Sequence, residues 1–245
     1  MNISYISPDQ VIFWKLAGGL ITINATLVYT WLVMAILVAG SWLVTRHLST
    51  GIHVPRWQNF LEVVVSAIRS EIRDVSPEGS DRYVPFIGTL FVFIALSNVL
   101  VIVPGYVAPT ASLTTTAALA ITVFIAVPLY GITKQGIIEY LKEYFRPTFI
   151  FFPFHVMGEL SRTLALAVRL FGNIMSHEKV VGILLAVTPL FFPIVMQALG
   201  LLIGMIQAYI FSILAMVYIA SATQAHEDKK HGTEKDGLAA QRANP

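Results

Sequence analysis

There is no cysteine among these 245 residues. That removes disulfides, thiol catalysis and thiolate metal sites, and it leaves the redox compartment open. Charge is scarce too: Asp, Glu, Lys and Arg make up 12% of the chain, against about 25% in a soluble domain. The formal net charge of +2 is too small to point to nucleic acid. There is no phosphate loop, zinc-ligand spacing or nucleophile motif. His47, His53, His155, His177 and His226 do not cluster. The first apolar run is too long for a signal peptide and lacks a basic segment before it. Internal repeats of the kind secondary transporters carry are also missing.

What is abundant is apolar. Hydrophobic residues make up 56% of the chain, and the mean hydropathy is +0.72. The expected fold class is an all-α membrane protein with five transmembrane helices and one interfacial amphipathic helix. Residues 1–226 form a single polytopic membrane domain in this reading, and 227–245 a polar, disordered tail.

Residues 1–15 are mixed in character. A first span is expected from about Asn24, a good N-cap type, to Val44. From Arg56 to Val75 the pattern changes. Trp57, Phe60, Leu61, Val64, Ile68, Ile72 and Val75 share one helical face, and Glu62, Ser66, Arg69, Arg73 and Asp74 lie elsewhere. Such a helix lies in the membrane interface or packs on a partner. No charged residue occurs from Tyr83 to Thr133, and Pro104-Gly105 and Pro109 break that run. A helical hairpin is expected, Tyr83–Val103 and Ser112–Gly131. Its hydroxyls bond their own backbone or a neighbouring helix; Asn98 is the polar residue that fits this least and is a candidate for a wet path. Lys134 to Arg146 reads as a short interfacial helix or loop.

The last hairpin is expected to turn near Pro189 and Pro193. The helix before it then runs from about Phe154 to Val187, roughly 50 Å long at 1.5 Å per residue, against a hydrocarbon core of about 30 Å. Both helices of this hairpin are long and expected to be strongly tilted; otherwise the first breaks, with Gly172, Gly182 and Pro189 as candidate points. Arg169 stands in the apolar part of this helix. A guanidinium cannot shed its proton, and at mid-bilayer it costs about 2.5–3.5 kcal/mol on insertion scales. His155, Arg162, Arg169, Asn173 and Ser176 share one face, Glu159 is placed to pair with Arg162, and Glu178 lies half a turn of the wheel from Arg169. The stripe is either a helix–helix seam or a route blocked by a fixed cation. Folding the hairpin at Thr188 sets Gln207 level with Arg169, where it bonds the guanidinium, a group docking there, or a backbone carbonyl. Basic residues in short loops place the N-terminus outside and the C-terminus in the cytoplasm. A stand-alone ion channel or secondary transporter is the alternative function, and a structural scaffold a further one.

Arg169-Leu-Phe-Gly-Asn173, then Glu178, then Gln207-Ala-Tyr-Ile-Phe211 resemble the signature of subunit a of the F-type ATP synthase membrane sector. Tyr83 to Phe91, Ser97-Asn98 and Pro109-Thr110 are similar to its middle hairpin. The resemblance spans about residues 15 to 226. It implies an ion-translocating subunit, most simply for protons, in the cell inner membrane. It is not catalytic alone and needs no cofactor or metal. It forms two half-channels against a ring of c subunits and meets the b subunits of the peripheral stalk. By position, Arg169 resembles the essential stator arginine, Asn173, Glu178 and Gln207 the polar groups around it, and Glu159 and Arg162 positions near the cytoplasmic mouth. Arg162-Thr163 stands where many members have Lys-Pro, Gly200 where some have His or Glu, and Ser112 near where many have Asp.

Overall fold

The computed structural model describes residues 12–16, 21–46, 56–76, 80–103, 105–138, 152–188 and 191–224. Two short antiparallel strands come first, β1 Ile12–Leu16 and β2 Ile21–Asn24. The sequence reading assigned no element there, because pieces of this length are too short for periodicity to register. Among the described residues six long α-helices follow: α1 Ala25–Thr45, α2 Arg56–Val75, α3 Val84–Val99, α4 Leu113–Gln135, α5 Phe152–Val187 and α6 Phe192–Gln224. All but α2 are long and apolar enough to cross a membrane. The all-α membrane fold is therefore as expected, with a small hairpin added in front. The 139–151 segment and the 225–245 tail lie outside the described residues, so the readings made for them do too.

Each helix boundary has a local cause. Asn24 takes the N-cap position of α1 with extended backbone, but its side chain makes no capping bond. The bend after α3 uses Gly105 at φ +87, a left-handed conformation that costs glycine little. Ser112 caps α4 by accepting from the Thr114 amide at 3.2 Å, satisfying one of the helix's free donors. Gly136, also at φ +87, ends α4. Pro193 falls in the first turn of α6, where a missing N–H breaks no ladder bond.

The core lies among α3, α4, α5 and α6. Ile87 and Ile94 from α3, Val123 from α4, Leu166 and Leu170 from α5, and Phe211 and Met216 from α6 are fully buried in it. Helix α1 touches this bundle mainly near its start. Most of its apolar side chains, Trp31 and Trp42 among them, face outward, as lipid contact requires. Helix α2 packs on α3 and α6 of its own chain. Ile72 is buried, Ile68 and Val75 are partly so, and the Tyr209 hydroxyl donates to Glu71 Oε2 at 2.8 Å. The Arg69–Asp81 pair at 3.0 Å is well exposed and adds little.

Helix α5 is unbroken over 36 residues. Gly172 and Gly182 lie inside it without interrupting the helix, so the long-helix reading holds there, while Pro189 lies outside the described residues. At 1.5 Å per residue its length is about 54 Å. The 32-residue apolar part is about 48 Å long and fits within about 30 Å of hydrocarbon only when its axis leans by about 50°.

Candidate functional site

On α5 the buried face is drawn by Leu166, Ala167, Leu170 and Ile174, a spacing that keeps one side against the bundle. Arg162, Arg169, Asn173 and Ser176 are all exposed, so the stripe seen in the sequence is an outer edge of the helix. Arg169 lies near its middle, about 25 Å from either end. Among the described residues it has no ion-pair or hydrogen-bond partner. Leu164 and Val168 beside it are 56% and 59% exposed. Among the described residues, the cation thus stands in an outward surface with no counter-charge paired to it.

Toward the α5–α6 turn, polar side chains converge on a small cleft of about 20 Å³. Asn98 comes from α3, Asn173, His177 and Glu178 from α5, and Gln197 and Gln207 from α6. That is room for about one water, which the polar groups among its lining residues can hold. Asn173 donates through Nδ2 to Gln207 Oε1 at 2.8 Å. Gln207 is 2% exposed, and its Nε2 is buried without a partner among the described residues. Level pairing of Gln207 with Arg169 is therefore corrected. The chain turns between Val187 and Phe192, so the fold is centred near position 190 rather than 188, and Gln207 meets a residue one helical turn further on. An amide donor is also a poor partner for a guanidinium, which has only donors.

Asn98 does more than line the cleft. Its Nδ2 donates to the Gly204 carbonyl at 2.8 Å, and its Oδ1 accepts from Thr110 Oγ1 at 3.5 Å. A Cβ on Gly204 would come within 2.9 Å of Asn98 Cβ, so glycine is what allows α3 and α6 to close up here. Gln197 Nε2 donates to the Val101 carbonyl at 2.9 Å, fixing the start of α6 to the end of α3. Glu178 is half-buried, and the Ala108 amide points at its carboxylate.

His177 was not singled out from the sequence. Its imidazole lies against the bare backbone of Gly200, and a Cβ there would overlap the ring. The one available signal was Gly200 itself, a small residue in the middle of a long apolar helix. Toward the other end of α5, the Arg162 guanidinium lies 5.6 Å from the centre of the Tyr218 ring, a cation–π contact. Thr163 Oγ1 donates to the Glu159 carbonyl at 3.0 Å. The His155 side chain lies outside what is described. Polar groups therefore flank Arg169 along α5 on both sides: Asn173 to Glu178 toward one end, Glu159 and Arg162 toward the other. Among the described residues no cluster of histidine and carboxylate side chains is arranged to hold a metal.

A family profile described as ATP synthase A chain matches residues 27–220. Among curated proteins, "ATP synthase subunit a 2" of Acaryochloris marina is 58% identical over 223 residues, 91% of this chain and 94% of that protein. "ATP synthase subunit a" of Albidiferax ferrireducens is 55% identical over 230 residues, 94% and 99% of the two chains. "ATP synthase subunit a 1" of Chlorobaculum parvum is 55% identical over 223 residues, 91% and 98%. With five apolar spans and matches over most of its length, the chain is a multi-pass membrane protein that belongs to the ATP synthase subunit a family, the non-catalytic membrane subunit of that complex.

Proposed function

We propose that this chain is the ion-translocating stator subunit of the synthase, with protons as the transported ion. The observation that supports this is Arg169: a permanent cation at mid-helix, facing outward, with no ion-pair partner among the described residues. A second chain must answer it within the membrane, and a carboxylate on a c-subunit ring is the group that does.

A ring carboxylate is neutral while it faces lipid, since a bare charge there is prohibitive. Within about 4–6 Å of a guanidinium its pKa drops by about 1–3 units, and it gives up its ion. The cleft of Asn98, Asn173, His177, Glu178, Gln197 and Gln207 lies on one half-channel. Asn173 belongs to both surfaces: it lines the cleft and is exposed on the Arg169 edge. It is the place where an ion passes from cleft to ring. Glu159 and Arg162 border the second half-channel. Arg169 stands between the two and blocks direct leak. Each elementary charge crossing yields about 2.3 kcal/mol per 100 mV.

Residues 1–226 act as one membrane domain in the cell inner membrane, the N-terminus outside and the C-terminus cytoplasmic. The start of α1 and both bends lie at one end of the bundle, as the Tyr29–Gly105 and Gln197–Val101 bonds require. The b subunits of the stalk are its other partner. Because the chain has no cysteine, Val168→Cys tests the docking face cleanly. It should cross-link to a cysteine set beside the ring carboxylate, while Val38→Cys on the outward face of α1 should not. The reverse pattern contradicts the proposal.

A further inference from the structure

Arg169 lies between two side-chain contacts that join α5 to α6. One is the Asn173–Gln207 bond at 2.8 Å. The other is the Arg162 guanidinium over Tyr218, 5.6 Å from the ring centre. Arg162 stands eleven residues before Asn173, and Tyr218 eleven after Gln207. Eleven residues make about three helical turns, so both contacts fall in one antiparallel register and on one side of the hairpin. Tyr218 packs against the core, while Arg162 is exposed. The tyrosine ring is thus the fixed member of the pair, and the guanidinium is the one held. Arg162 also shares the Arg169 edge of α5. Arg169 stands seven residues after it, about 10 Å along the helix. With the axis leaning by about 50°, that is only about 7 Å of depth, well inside the roughly 15 Å of hydrocarbon on each side of the midplane. Neither arginine can shed its proton. Among the described residues no ion pair answers either charge. Arg162 differs in having an aromatic face beneath it, an attraction that strengthens where water is excluded. Without that face its long, flexible stem is free to swing toward a carboxylate at the level of Arg169.

We propose that Tyr218 is a positioning residue for ion transfer at Arg169: its aromatic face holds Arg162 on the α5–α6 seam, so that Arg169 alone meets the c-subunit carboxylate. Released from Tyr218, Arg162 is a second cation for the same carboxylate. A cation close by favours the ionised form of an acid, so the carboxylate is slow to take back the ion it needs before it faces lipid. This inference rests on reading Arg169 as the group that meets that carboxylate.

The test uses the complete synthase in inverted membrane vesicles. ATP-driven proton uptake is read by a pH-sensitive dye and divided by the amount of assembled complex. Tyr218→Leu removes the aromatic face and keeps apolar bulk; Tyr218→Met does the same with a more adaptable chain. Both should lower uptake by about five-fold, the scale of one cation–π contact. Tyr218→Phe retains the face and should recover most of that loss. The deciding comparison is Arg162→Gln, which removes the charge that Tyr218 holds. Adding Arg162→Gln to Tyr218→Leu should raise uptake to the level of Arg162→Gln alone, above that of Tyr218→Leu, because no loose cation remains. If Tyr218 merely pinned the two helices, Arg162→Gln, Tyr218→Leu and the double variant would all fall alike. That result overturns the proposal. So does full uptake by Tyr218→Leu and Tyr218→Met, or a loss in both that vanishes once divided by assembled complex. Arg169→Ala is read separately. Native uptake there removes the reading on which the inference rests; abolished uptake there, with full uptake by Tyr218→Leu, removes only the role of Tyr218.

Discussion

Asn173 and Gln207 hold each other by a 2.8 Å bond between two helices that meet at the end of the chain's last hairpin. The bond sits one helical turn from Arg169, and Asn173 both lines the cleft and is exposed on the Arg169 edge. It fixes the spacing of α5 and α6 at the point where an ion would change surroundings.

The strength of that bond is measurable. Interhelical hydrogen bonds in membranes average about 0.6 kcal/mol, with a maximum of about 1.7. A double-mutant cycle with Asn173→Ala and Gln207→Ala, read on thermal unfolding of the lipid-embedded complex, should give a coupling in that range. Gln207→Leu should also lower transport without loss of assembly. Zero coupling would mean that the pair does not form in the membrane.

Gly204→Ala is expected to be harmful although it adds only a methyl group. The new Cβ would stand 2.9 Å from both Cβ and Cγ of Asn98, atoms close to the α3 backbone with little room to give. Overpacking of this kind costs about 1–3 kcal/mol. The amount of assembled synthase in membranes should fall, and a Gly204→Ala strain with native levels would show that α3 and α6 are further apart than described.

Much of this architecture could be read from the residues alone, and the reasons differ by element. Helix α2 was legible to the residue, because an amphipathic period marks both its face and its ends. The length of α5 was legible because no proline interrupts the chain between Pro153 and Pro189. The stripe of Arg162, Arg169, Asn173 and Ser176 followed from helical geometry within one element. What could not be read lies between elements. The partner of Gln207 depended on where the α5–α6 turn is centred, and a shift of two positions moved it by a full helical turn. Asn98 with Gly204, and His177 with Gly200, are contacts between distant stretches, and no periodicity encodes them. The β1–β2 hairpin was too short to leave a pattern.

The contact of His177 with Gly200 makes a prediction of compensation. Gly200→Ala drives a methyl group into the imidazole, so it should reduce both assembly and transport. His177→Ala removes the ring and frees the space. The double variant should therefore assemble as well as His177→Ala alone, a non-additive outcome that marks direct contact. Additive losses in a side-by-side assembly assay would place the two residues apart.

The central claim is that a single fixed cation on the outward face of α5 governs ion passage. The most direct measurement is ATP-driven proton uptake and passive proton permeability in membranes whose synthase carries Arg169→Ala. The account predicts that uptake is abolished and that passive leak through the assembled complex rises. Uptake at the native rate, with no added leak, would contradict it.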